Sequence, residues 1–231
     1  MSSLKLSAVE MVQSLKKGEI TSEELVKSYI EQIKKKEKEV EAWEFFDQEL
    51  VLNQAKKLDE LHQSGKHGDL HGIPVGIKDI FDTEDMPTTD GTEIHKENPS
   101  WNDCTVVSKL RQAGAIIMGK TVTAELAYYS PGKTKNPHDS TRTPGGSSSG
   151  SAAAVASHMV PLAVGSQTNG SVIRPASYCG VVGYKPSKGY ISRHLVLQVS
   201  RALDQVGVFS NSIEDAALIS EQLIGYDKQD P

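Results

Sequence analysis

The sequence predicts an α/β fold, a mixed and largely parallel β-sheet covered by helices on both faces, and three observations predict it. From about residue 70 short β-prone runs alternate with helices and Gly-rich turns, the pattern of strand–helix–strand units. Residues 130–150, rich in Pro, Gly, Ser and Thr, are followed by more of the same pattern, so they have no second domain to join. The first 66 residues carry helical spacing, and 231 residues are enough for one sizeable core. The chain is therefore expected to be one domain, 1–231, with a helical segment 1–66 packed on an α/β core 67–231.

Each element has its own signal. Ser7 with Glu10, and Thr21 with Glu24, have the spacing of capping boxes, and Gly18 fits as the stop between two helices. In the second helix Leu25, Tyr29, Ile30 and Ile33 form one apolar face and leave Lys27, Glu31, Lys34 and Lys35 to water. Strands are predicted at "GIPVGIKD" (72–79), "AIIMGK" (115–120), "VPLAVGS" (160–166) and "GVVGYKP" (180–186), with helices from about Thr105 to Ala113 and Ser149 to Ser157.

Composition removes several classes of function. A net charge of −5, with the basic run "KKKEKE" at 34–39 broken by acids, argues against a nucleic-acid surface. Apolar runs such as "AIIM" are far too short to span a membrane, and the first ten residues lack the apolar core of a secretion signal. Two cysteines, Cys104 and Cys179, make no disulfide framework, so a cytoplasmic location is expected. Cys179 reads as small core within an apolar strand. The seven histidines, His67 and His71 among them, show no metal-ligand pattern supported by cysteines or a helix, and neither metal nor cofactor is expected.

One motif matches as text and fails as chemistry. "GAIIMGKT" at 114–121 fits the phosphate-loop pattern, but a phosphate cradle needs exposed amides where this chain has Ala, Ile, Ile and Met. The run is expected to be a buried strand, with Lys120 a surface lysine at its end.

The segment 145–186 carries the chemistry. A loop of small residues, "GGSSSGS" at 145–151, opens a helix; a strand follows; and a second tight turn, "TNGS" at 168–171, leads away from it. Both turns could converge at one sheet edge, where α/β folds place ligands. This arrangement, with "HGIPVGIKDIFD" at 71–82 and "GAIIMGKTVTAEL" at 114–126, resembles the amidase signature family, serine hydrolases of amides. The likeness is to malonamidase-like amidases and, less closely, to the glutaminase subunit of tRNA-dependent amidotransferases.

The resemblance implies an amidase signature fold and a catalytic set of a lysine, a bridging serine after a cis peptide bond, and a nucleophilic serine. Motif by motif these fall on Lys78, Ser147 and Ser171. The backbone N–H groups of Thr168, Asn169, Gly170 and Ser171 become the candidate oxyanion hole, and Arg174 and Ser148 the candidate substrate contacts. For Arg174 a structural role, bonding backbone carbonyls, stands as the alternative. Lysine serves as a base only when neutral; with an ordinary pKa, about one Lys78 in two thousand would be neutral at pH 7. Burial among Val75, Ile77 and Ile80 is expected to lower that pKa, with Asp79 turned to the other face of the strand.

The expected reaction is hydrolysis of a small carboxylic amide through an acyl-serine. The alternatives are a glutaminase subunit, which "SQTNGSVIRP" resembles less well, and an inactive binding module. Two departures from the family pattern stand out. Asn169 occupies a position where many members have Gly, and members continue well beyond "GYDKQDP". That second departure predicts exposed apolar surface covered by self-association or a partner.

Overall fold

The N-terminal capping boxes both form in the computed structural model, which describes residues 4, 6–65, 67–96 and 101–230. Ser7 Oγ accepts from Glu10 N at 3.2 Å while Ser7 N donates to Glu10 Oε2 at 2.8 Å, and this starts helix α1 (Ala8–Lys16). Thr21 and Glu24 repeat the exchange to start α2 (Ser22–Val40), with Gly18 between them at φ +69°. The face of α2 bearing Leu25, Tyr29, Ile30 and Ile33 is the buried one.

The N-terminal segment is not purely helical. Glu41, in a left-handed conformation at φ 53°, ends α2. The aromatic run after it forms strand β1 (Trp43–Phe45), because Trp and Phe fit a half-buried pleated surface. Asp47 then caps α3 (Gln48–Gln63) through Glu49 N and Leu50 N.

The core continues with β2 (Pro74–Lys78), α4 (Thr105–Gln112), β3 (Ile116–Thr121), α5 (Ser149–Ala156) and β4 (Leu162–Gln167). After these come α6 (Ile173–Cys179), β5 (Val182–Tyr184), β6 (Gln205–Ser210) and α7 (Ile213–Leu223). The mixed α/β class stands. The strands lie in the order β1-β3-β2-β4-β6-β5, parallel among the central three and antiparallel where β1, β6 and β5 join. The chain passes from β2 to β3 on one side and later to β4 on the other, so the carboxyl ends of β2 and β4 flank a crevice of the kind that holds ligands.

Three local expectations change. Lys120 is not on the surface: β3 is buried along its whole length, and Lys120 is fully buried because Asp79 supplies a counter-charge 3.1 Å away. Cys179 ends helix α6 rather than lying in a strand, and is buried as foreseen. β6 and α7, which carried no recognised signal, complete the sheet edge; Ser212 caps α7 by accepting from Asp215 N at 3.1 Å.

α5 sets the spacing of the site. Its sequence, SGSAAAVA, is buried from Ser149 to Val155, and a Cβ at Gly150 would lie 2.3 Å from Val122 N and 2.4 Å from Ala42 O. Only small residues let this helix approach the backbone so closely. Among the described residues no helix is long and apolar enough to cross a membrane.

Candidate active site

Lys78 is the last residue of β2, fully buried, with Val75 and Ile77 at 0% exposure and Ile80 at 1%. Its Nζ donates to Ser147 Oγ at 2.7 Å and to Ser166 Oγ at 2.9 Å. Burial lowers its pKa from 10.5 to about 7, against a smaller opposing pull from Asp204. Asp79 does not offset this. It points away, takes the Lys120 ammonium at 3.1 Å and accepts from Thr89 N and the Thr89 hydroxyl. Each buried lysine thus has a different environment: Lys120 has a carboxylate, and Lys78 has two hydroxyls.

Ser147 follows a cis peptide bond from Gly146. Its carbonyl accepts from Ala124 N at 3.0 Å, and the carbonyl of Gly146 accepts from Arg174 Nε at 3.0 Å and Nη2 at 2.7 Å. The second turn is fastened to the first where Ser148 N donates to Ser171 O at 3.3 Å. Ser171 lies at the rim of the buried set with 9% exposure. Its hydroxyl does not cap α6; Gln167 Oε1 does that work, accepting from Val172 N and Ile173 N at 3.0 Å each. No hydroxyl-to-hydroxyl hydrogen bond joins Ser147 and Ser171 among the described residues.

The other expected site residues fall in three groups. Thr168, Asn169 and Gly170 form the turn between β4 and α6, and the amides of Asn169, Gly170 and Ser171 have no hydrogen-bond acceptor among the described residues. Thr168 is anchored by its hydroxyl to Asp204 Oδ1 at 2.5 Å. Ser148, expected at the substrate, is fully buried. Its Oγ donates to Ser166 O at 3.2 Å and accepts from Ser166 N at 3.3 Å, so it ties α5 to β4. The guanidinium of Arg174 clamps the carbonyl before Ser147.

Two clefts flank the set. One of about 460 Å³ is lined by Gly146, Ser149, Arg174, Tyr128, Tyr129 and Tyr178, the other, of about 540 Å³, by Ser166, Thr168, Arg193, Asp204 and Gln205. Ser166, Asp204 and Gln167 were missed from sequence. The signal for Ser166 was its place at the carboxyl end of β4, whose register pairs Ile77 with Val164 and so brings position 166 beside Lys78.

A buried lysine bonded to a serine hydroxyl thus lies at the carboxyl end of the central parallel strands of an α/β fold. The chain belongs to the Amidase family, whose pattern matches residues 24–231. It is 43% identical over 232 residues to a glutamyl-tRNA(Gln) amidotransferase subunit of Natranaerobius thermophilus, covering 97% of this chain and 47% of that protein. Among solved structures, the native peptide amidase of Stenotrophomonas maltophilia superposes with a TM-score of 0.93 at 30% identity, over 98% of this chain and 49% of that one. The corresponding glutamyl-tRNA(Gln) amidotransferase subunit of Thermotoga maritima superposes with a TM-score of 0.83 at 36% identity, over 100% and 49%. The chain spans about half the length of the curated relatives it matches.

Proposed function

We propose that this chain carries the nucleophilic centre of an amide hydrolase, with Ser171 as nucleophile, Ser147 as proton relay and Lys78 as base. The observation that carries the reading is the 2.7 Å contact from the fully buried Lys78 Nζ to Ser147 Oγ, with a pKa near 7 that makes the neutral amine abundant at neutral pH. Ser171 Oγ attacks the amide carbon, its proton passes to Ser147 while the Ser147 proton passes to Lys78, and the tetrahedral oxyanion forms. The unpartnered amides of Asn169, Gly170 and Ser171 are the donors on offer to it; one such donor is worth on the order of 10²–10³ in rate. Run backwards, the relay protonates the leaving amine, and water then releases the acid from acyl-Ser171. The groups invoked are all side chains and backbone of this chain, with a small carboxylic amide as substrate.

A second reading, the glutaminase half of an amidotransferase, is favoured by the 43% identity to a glutamyl-tRNA(Gln) amidotransferase subunit. On this reading the aromatic side chains lining the cleft, Tyr128, Tyr129 and Tyr178, all more than 45% exposed, would meet a partner chain or a second copy.

The test is covalent labelling with a neutral fluorophosphonate, located by peptide mass spectrometry. Adduct on Ser171 that disappears in Lys78→Ala is the expected result; a folded chain that stays unlabelled leaves only the inactive-module reading. Ammonia release from glutamine, compared with release from short alkyl amides, separates the two enzymatic readings.

A further inference from the structure

The geometry points to a transition-metal site of Zn²⁺ type formed by His62, His67 and His71, at the opposite end of β2 from Lys78. His62 lies in the last turn of α3, His67 is exposed in the connection towards β2, and His71 lies three residues before β2 begins. One ring nitrogen from each lies within 4.8 Å of the other two, and the ring centroids are 4.4, 5.8 and 5.1 Å apart.

A second observation points to a ligand. His71 is 2% exposed, and its buried Nε2 has no hydrogen-bond partner. A buried polar atom left unsatisfied is costly, and such atoms in native folds need an explanation. A metal ion supplies one.

The scaffold is firm where the site needs it to be. Leu70 N donates to Ala113 O at 2.9 Å and His71 N to Gly68 O at 3.2 Å, while Gly68 lies so close to the Ala113 carbonyl that a Cβ there would be 2.0 Å from its oxygen. His71 is therefore fixed, and the less buried His62 and His67 are the rings that can move. Zinc–nitrogen bonds of about 2.0–2.1 Å require nitrogens about 3.4 Å apart in a tetrahedron, so from separations of up to 4.8 Å those rings close by at most about 1.4 Å. The donor set, three imidazoles and an open fourth position for water, suits Zn²⁺, Ni²⁺ or Cu²⁺ and not Mg²⁺, which takes oxygen. Since β2 separates it from Lys78, the ion staples the end of α3 to the entry of the central strand and takes no part in amide chemistry.

The experiment uses the 231-residue chain without a histidine tag, stripped with chelator and titrated with ZnCl₂ by calorimetry, with thermal unfolding in parallel. One Zn²⁺ per chain and a rise in Tm reversed by chelator are expected, with no response to MgCl₂. His67→Ala, whose ring is exposed, should keep the metal-free Tm and weaken Zn²⁺ binding by about tenfold or more. The absence of one-to-one binding at millimolar Zn²⁺, an equal response to Mg²⁺, or unchanged affinity in His67→Ala would each overturn the site. Labelling of Ser171 is unaffected by any of these results.

Discussion

Asp79 and Lys120 form an ion pair sealed from solvent, Oδ1 to Nζ 3.1 Å, one residue from the lysine that has no carboxylate. Lys120 also donates to Pro87 O at 3.0 Å and Thr88 Oγ1 at 2.6 Å, so its donors are matched. The pair keeps a negative charge from reaching Lys78, which is why two lysines buried to the same degree can do different things.

Lys120→Met strands the buried Asp79 carboxylate. Removing one partner of such a pair costs about 3–5 kcal/mol, to be read by urea unfolding at pH 7. A loss below about 1 kcal/mol would show that Asp79 finds another partner or protonates at little cost.

Lys78 should make stability depend on pH in a set direction. Its folded pKa of about 7 lies below the 10.5 of the unfolded chain, so between these values the unfolded chain holds a proton that the folded chain has released. Stability from this group therefore rises with pH across that window, and below pH 7 the burial penalty of about 4–5 kcal/mol is fully present. Lys78→Met should be more stable than the parent at pH 6.5, with the gap narrowing towards pH 10. A gap that does not change with pH would place the amine in a solvated setting.

Ser166 holds the second donor of Lys78. Losing one hydrogen bond worth about 1.4 kcal/mol is about tenfold in rate, so Ser166→Ala should slow fluorophosphonate labelling of Ser171 by about that factor. The midpoint of the pH–rate profile, near 7 in the parent, should move as well. An unchanged rate and midpoint would remove Ser166 from the positioning of the base.

Arg174 separates two roles. If it aligns Ser147 through the Gly146 carbonyl, Arg174→Ala slows labelling by a neutral probe, by about tenfold for two hydrogen bonds partly replaced by water. If its task is to hold a substrate carboxylate, labelling by the neutral probe is unchanged and only KM for carboxylate-bearing amides rises.

Much of this was legible in the sequence because it is local. The capping boxes of α1 and α2 need only three residues of separation, and both form. The motifs around Lys78, Ser147 and Ser171 supplied candidates that the fold brings to neighbouring turns. What the sequence hid depends on register. Ser166 meets Lys78 only because β2 and β4 run in parallel with Ile77 opposite Val164. Lys120 ends an apolar run and reads as exposed until Asp79, on the neighbouring strand's exit, is placed beside it. Ser148 sits in a loop of hydroxyls that composition cannot tell apart, and only the approach of α5 to β4 shows that its own is spent on Ser166. The histidines at 62, 67 and 71 span a helix end and a turn, so no single periodicity collects them.

The methyl-sized side chains of α5 also limit what redesign can change. A helix touching Val122 N and Ala42 O through a glycine has no slack, so enlarging any of its inward residues would lift the neighbouring Ser147 away from the amine. New substrate preferences would have to be sought in the tyrosine-lined rim, where bulk can be added away from the Lys78–Ser147 contact.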